Sequence, residues 1–347
     1  MISEKMSKLL ERSAAMSSMY TESARLKEKY GAENVYDFGM GNPNLPAPDS
    51  IRETSIRVLQ ETDPWYLHHY MPNNGFPEAR EKIAASLNRR FGEHFDANNI
   101  MMCTGAAGGL NCLLKVLMDP GQEILTFAPY FGEYDRYADN VGCTLTTVPP
   151  NIPTFQPDPA ALEKCVTEKT RAVLIDNPNN PTGVVYNEET IRAIAAVLAK
   201  KEQEYGHAIY LISDEPYREL VFDGASVPWI PNDYKNTIVA YSFSKSLSLP
   251  GDRIGYLALR SEVEDFENIV AAVAVATRIT GFINASGLQQ LVCARCCDET
   301  VDISFYDKNR KRLYDALTAY GYEMPKPEGA FYLFMKTPTE NDLEFVE

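Results

Sequence analysis

Lys245 stands in the run Ser242-Phe243-Ser244-Lys245, a few residues ahead of Arg253 in Pro250-Gly251-Asp252-Arg253-Ile254-Gly255-Tyr256. An amine among hydroxyls, with a guanidinium close behind, can attack a carbonyl beside a phosphate clamp. By itself such a lysine would be a solvated surface charge, so its neighbours decide the reading. Asp214-Glu215-Pro216-Tyr217 follows the apolar run 208–213, and a carboxylate placed there is costly unless it meets a cation. Asn177-Pro178-Asn179-Asn180-Pro181-Thr182-Gly183 is a turn stiffened by two prolines and a glycine, able to present the Asn180 amide in one orientation. Thr104-Gly105-Ala106-Ala107-Gly108-Gly109 opens a helix pattern whose free backbone N–H groups suit a phosphate. Taken singly, the last two are ordinary packing turns.

The elements that must carry these groups read as alternating strands and helices. Strands are expected at Ile100–Thr104, Glu123–Phe127, Cys143–Val148, Arg171–Asp176, Ala208–Ser213, Thr237–Ser242 and Gly255–Leu259. Amphipathic helices are expected at Pro77–Phe91, Ala107–Met118, Pro159–Glu168 and Glu188–Lys201, the last started by Asn187-Glu188-Glu189. This alternation predicts an α/β fold, a mostly parallel seven-stranded sheet with helices on both faces. Residues 5–30 and roughly 261–320 read as long helices, and Ala330–Met335 as one more strand after the turn Pro325–Gly329. We expect a large domain over 47–278 and a small α+β domain formed from both chain termini, 1–46 and 279–347.

Composition bounds the rest. A chain of 347 residues, 45% hydrophobic and 23% charged, has globular composition and length for a large core. Its net charge of −15 argues against a nucleic-acid partner. The longest nearly apolar run, Ile269–Thr277, is far short of the roughly 20 residues a spanning helix needs, so no membrane partner is expected. Seven cysteines, an odd number, and no leader-like start fit a cytoplasmic location. Cys293 and Cys296 form a CxxC inside a helix pattern and read as packing; His68-His69 lacks zinc-helix spacing, so no metal is expected. Trp65 and Tyr66 line a substrate entrance or pack on a partner subunit; the sequence leaves both open.

A lysine nucleophile, a buried carboxylate, an oriented amide and a cationic phosphate cup after successive strands of one sheet define a ligand. A planar phosphorylated aldehyde needs all four, and pyridoxal 5'-phosphate meets each requirement. The sequence closely resembles the class I and II aminotransferases, pyridoxal-phosphate enzymes of fold type I related to aspartate aminotransferase. The resemblance runs from about Asp37 to Met335. It includes Gly41-Asn42-Pro43, Tyr70 with Gly75 and Arg80, the glycine turn at 105, Pro129-Tyr130-Phe131, and the stretches around Asn180, Asp214 and Lys245 with Arg253.

The resemblance implies that Lys245 forms the Schiff base, that Asp214 pairs with the ring nitrogen, and that Tyr217 and Asn180 bond the ring oxygen. It places Phe131 on the ring face, and Gly105, Ala106, Ala107, Ser242, Ser244 and Arg253 around the phosphate. Tyr70 would reach the phosphate of a neighbouring subunit, making a homodimer with a shared active site. The implied reaction is a ping-pong transfer of an amino group between an L-amino acid, aspartate or a related one, and a 2-oxo acid. A pyridoxal-phosphate lyase, synthase or decarboxylase is the alternative, and a cofactor-sensing regulator a third.

Two departures bear on substrate. The family arginine that grips the α-carboxylate lies beyond the position of Glu347. Either the C-terminal part is incomplete, the reading favoured by Asn341–Glu347 as the start of a helix, or the small domain is curtailed and the α-carboxylate relies on the Gly41 backbone and Asn180. Ala107 stands where aspartate-preferring bacterial relatives carry a cation, and Arg278 lies about one residue from another family position for a distal-carboxylate arginine.

Overall fold

The computed structural model describes residues 2–39, 41–342 and 345, with the side chains of 11–20 excepted. It divides into two compact units, Met1–Asn42 and Pro43–Glu347. The first holds helix α1 (Glu4–Tyr30), which starts where the Ser3 side chain accepts the Met6 N–H and ends at Gly31. Beyond it, Asp37 accepts hydrogen bonds from Ser23 and Lys27, and these hold its carboxyl down at about 2.

The second unit is built on seven strands: β1 (Ile100–Cys103), β2 (Glu123–Phe127), β3 (Thr144–Val148), β4 (Thr170–Asp176), β5 (Tyr210–Asp214), β6 (Thr237–Ser242) and β7 (Gly255–Leu259). They form one sheet in the order β1-β7-β6-β5-β4-β2-β3. Only β7 runs against its neighbours, as its pairs with β1 and β6 are antiparallel and the other pairs parallel. The central strands are buried along their length except at Arg171 of β4, as both-face coverage of a parallel sheet demands.

The covering helices, continuing in chain order, are α2 (Asp49–Glu61), α3 (Pro64–His68), α4 (Pro77–Phe91), α5 (Gly105–Leu117), α6 (Glu133–Asn140), α7 (Pro159–Cys165), α8 (Glu188–Tyr205), α9 (Phe243–Ser246), α10 (Phe266–Ile279), α11 (Gly287–Arg295) and α12 (Ile303–Ala319). Alternation along the strands sorts side chains to the two faces. Leu174, Ile212 and Leu257 pack with Leu110, Leu113 and Val273 of α5 and α10. Val173, Ile175 and Leu211 pack with Leu162, Ile191 and Leu198 of α7 and α8. A third cluster joins Tyr241 and Tyr256 to Ile83 of α4 and Val292 of α11.

The seven strands expected for the sheet are all present, three with the expected ends and four with ends displaced by one or two residues, and α8 begins where the Asn187 side chain accepts the Thr190 N–H at 2.8 Å. The helical stretch expected over roughly 261–320 consists of three helices, α10, α11 and α12, separated by the Gly281 turn and by the segment after Cys296. One expectation is corrected. Ala330–Met335 is not a strand; its neighbourhood makes one bridge, Val221 to Gly329. The backbone of Glu328 and Gly329 donates instead to Gly183, and Ala330 to Leu220, so this segment is fastened to two turns rather than to a sheet edge. The helix start expected at Asn341–Glu347 falls mostly outside the described residues.

Candidate active site

Strands β1, β4, β5 and β6 run parallel to one another, and their carboxyl ends converge on one edge of the sheet, where open α/β sheets bind ligands. β1 delivers Thr104 and the start of α5, β4 ends at Asp176 ahead of the Asn180 turn, β5 ends at Asp214, and β6 ends at Ser242 with Lys245 one turn later.

Asp214 is buried, and one of its oxygens, Oδ2, accepts the Tyr134 hydroxyl at 2.9 Å. The other, Oδ1, is buried with no hydrogen-bond partner. Burial pushes this carboxyl upward, against the pull of Tyr134. An unmet carboxylate oxygen at a strand end is the acceptor that a protonated ring nitrogen requires. Lys245 Nζ lies 5.8 Å from the centre of the Tyr217 ring and 5.2 Å from that of Phe331. Burial, with Arg253 adding to it, lowers the Lys245 ammonium from 10.5 to about 8.

Around the start of α5 a cationic cup is formed. Gly105 has φ +73°, and a Cβ built there would sit 3.0 Å from Arg253 Nη2, so the missing side chain lets the guanidinium close on the helix N-terminus. Arg253 Nη1 donates to the Pro250 carbonyl at 2.9 Å. Ser242 Oγ and Ser244 Oγ are 2.7 Å apart, and Ser242 also accepts the Ser244 N–H. Ala106 is buried and Ala107 half-buried on the first turn of α5.

The Asn180 turn is rigid for a visible reason. Asn179 Oδ1 accepts from Thr182 N and Oγ1, and Asn180 N–H donates to Asp176 Oδ2 at 2.9 Å. Gly183 has φ +71°, and a Cβ there would lie 2.7 Å from Pro327 Cβ, so glycine admits the tail segment against the turn. That segment brings Tyr332, whose hydroxyl meets that of Tyr217 at 2.5 Å. Phe131 stands edge-on to Tyr134 with ring centres 5.6 Å apart.

Tyr70 is 80% exposed, and Arg278 is exposed in the last turn of α10. Gly41 belongs to the first unit. Trp65 stacks on His69 at 4.1 Å and Tyr66 on Phe76 at 4.7 Å. Cys293 and Cys296 are buried in the cluster of α2, α4 and α11, as packing residues are. Among the described residues no group of three or more His, Cys, Asp or Glu could hold a metal, and no helix is long and apolar enough to cross a membrane.

Sequence reasoning missed Tyr134, Asp176 and Tyr332. Asp176 carried the signal used for Asp214, a carboxylate ending an apolar strand; Tyr134 and Tyr332 reach the site only through packing.

The match to known proteins agrees with this geometry. The family model of aminotransferase class I and II matches residues 32–347, and the chain belongs to that family. It is 30% identical to an aspartate aminotransferase of Thermotoga maritima over 91% of this chain and 80% of the relative. It is 29% identical to a probable aspartate/prephenate aminotransferase of Thermus aquaticus, over 88% of this chain and 79% of the other. The crystal structure of an amino transferase from Eubacterium rectale superposes with a TM-score of 0.95 at 42% identity, covering 99% of this chain and 87% of that one. The protein is accordingly an aminotransferase of fold type I.

Proposed function

We propose that this transaminase works with pyridoxal 5'-phosphate held at the carboxyl edge of the sheet. The observation that carries the reading is the unmet Asp214 Oδ1, set at one edge of the sheet with the desolvated Lys245 amine and the cup of α5, Ser242, Ser244 and Arg253. When bound, the cofactor supplies the carbonyl carbon that takes the amino group and a ring that accepts the electron pair left at the substrate Cα.

Each side chain then has a definite task. Asp214 keeps the ring nitrogen protonated. Tyr217 and Asn180 hold the ring oxygen, and Phe131 covers a ring face. Gly105, Ala106 and Ala107 offer backbone N–H groups to the phosphate, supported by both serine hydroxyls and the Arg253 charge. Lys245, whose amine is partly neutral near its value of about 8, is the base that moves the proton from the substrate Cα.

The substrates in this reading are an L-amino acid and a 2-oxo acid exchanged in a ping-pong cycle. The relatives' names favour aspartate or a related donor. Asn180 contacts the α-carboxylate in this reading. The domain division at 47–278, with 1–46 and 279–347 as the small domain, belongs to the same reading. So does a homodimer in which the exposed Tyr70 reaches a partner's phosphate. A cytoplasmic location is supported by seven cysteines that are all free thiols.

The test is an absorption spectrum of the protein with pyridoxal phosphate, titrated with a panel of amino acids and then with 2-oxoglutarate or pyruvate. Conversion to the amine form of the cofactor, reversed by the 2-oxo acid, is the expected result. Ammonia release without any acceptor would overturn it in favour of a lyase.

A further inference from the structure

Asp176 and Asp214 are in-register neighbours on the parallel strands β4 and β5, so both side chains leave the same face of the sheet. Neighbouring strands run about 4.8 Å apart, which sets two carboxyl groups side by side. Asp176 is 3% exposed and Asp214 5%. Each has one oxygen with a neutral donor: Tyr134 O–H on Asp214 Oδ2, and Asn180 N–H on Asp176 Oδ2. Each has its other oxygen, Oδ1, buried and without a partner. The cofactor reading accounts for Asp214 Oδ1 alone and leaves Asp176 Oδ1 unexplained.

The surroundings do not neutralise a second negative charge. Tyr134 and Tyr137 face Asp214 from α6; Tyr134, Tyr186, Tyr217 and Tyr332 face Asp176. Glu215, the nearest further carboxylate, is itself paired with Arg218. Two buried like charges this close do not both ionise, and a protonated carboxylic acid in such a place becomes a hydrogen-bond donor.

We propose that Asp176 is a positioning residue that keeps its proton and donates an Oδ1–H to Asp214 Oδ1, tying the ring-nitrogen carboxylate to the turn that presents Asn180. A carboxylate oxygen has room for this donor and a ring N–H together. One side chain then sets both polar ends of the cofactor ring: Asp214 through the shared proton, Asn180 through its backbone N–H. Burial and the Asp214 charge both raise the Asp176 carboxyl well above the usual range, which favours the proton residing there. The proposal rests on the cofactor reading for its purpose, and on the geometry of the pair for its content.

The first measurement is infrared spectroscopy of the full chain at pH 7, with and without added pyridoxal phosphate, comparing wild type with Asp176→Asn. The C=O stretch of a protonated carboxylic acid should be present in wild type and weakened in D176N, where only the raised Asp214 carboxyl is left of the pair. Absence in wild type, or an undiminished band in the variant, overturns the proposal. The second measurement compares D176N with Asp176→Ala. Asparagine keeps both a donor toward Asp214 and an acceptor for the Asn180 N–H, so kcat/KM and cofactor retention should stay within about threefold of wild type. Alanine loses both contacts, and a loss of at least tenfold is expected. Equal damage in the two variants, or none in alanine, overturns the role. If D176A does not fold, the infrared comparison and D176N still decide. Failure of wild type to take up pyridoxal phosphate would instead remove the cofactor reading, while the infrared band without added cofactor would continue to test the shared proton.

Discussion

Tyr217 and Tyr332 meet hydroxyl to hydroxyl at 2.5 Å with their rings edge to face, although 115 residues separate them in the chain. The tail segment that carries Tyr332 thereby fixes the orientation of a residue at the centre of the site. Replacing Tyr332 by Phe removes the partner and keeps the ring. A fall in kcat of about three- to tenfold is expected, with stability changed by about 1 kcal/mol or less. Steady-state kinetics beside a denaturant melt would separate the two, and an unchanged kcat would dissociate Tyr332 from the site.

Lys245→Ala should abolish amino-group exchange, since no other amine replaces it at the end of β6. The amine also predicts a pH dependence. Its folded value of about 8 lies below the ordinary 10.5, so the stability it contributes is present above 10.5 and lost as pH falls through 8. Lys245→Met should therefore stabilise the cofactor-free chain by about 1–2 kcal/mol at pH 7, after allowance for partial solvent screening, and by nothing above pH 11. Thermal melts across pH test this. Modification of Lys245 by an amine-reactive reagent should rise with an apparent pKa of about 8.

Asp214 runs the other way. Its folded carboxyl is raised, so its stability contribution is complete below the ordinary value of 3.8 and lost as pH rises through the folded value. Asp214→Asn should make the cofactor-free chain more stable at pH 7 than wild type, the difference vanishing toward pH 4. The same change should cost at least about a hundredfold in kcat, a trade of activity for stability. Denaturant titrations at the two pH values are the check, and a loss of stability at pH 7 would contradict it.

Gly183→Ala should cost about 2 kcal/mol or more, because the new Cβ meets Pro327 at 2.7 Å in a backbone conformation that disfavours side chains. Since the displaced segment carries Phe331 and Tyr332, kcat should fall with stability. A variant that melted like wild type would mean the tail can shift without strain.

Much of the arrangement was readable before the fold. Short β-branched runs bounded by turn residues exposed the strands because each must be apolar to lie inside a covered sheet. The chemistry of Lys245, Asp214, Asn180 and Arg253 was readable because each follows such a run, and the end of a strand is a fixed address. The run 330–335 misled for a related reason. It is apolar because it packs on the site, and its backbone is fastened through Ala330 to Leu220 and, just ahead of it, through Glu328 and Gly329 to Gly183, destinations that alternation alone does not encode.

The order of residues by itself determined which groups stand at the ends of which strands, and with them the class of chemistry. Strand order, the reversed direction of β7, and the three side chains that tune the site were decided only by tertiary structure. Asp176 meets Asp214 because β4 and β5 are neighbours in register. Tyr134 reaches Asp214 because α6 folds back over that face, and Tyr332 reaches Tyr217 because the tail docks on a glycine. Such contacts join residues far apart in the chain, and the packing of whole elements, not local pattern, brings them within hydrogen-bond distance.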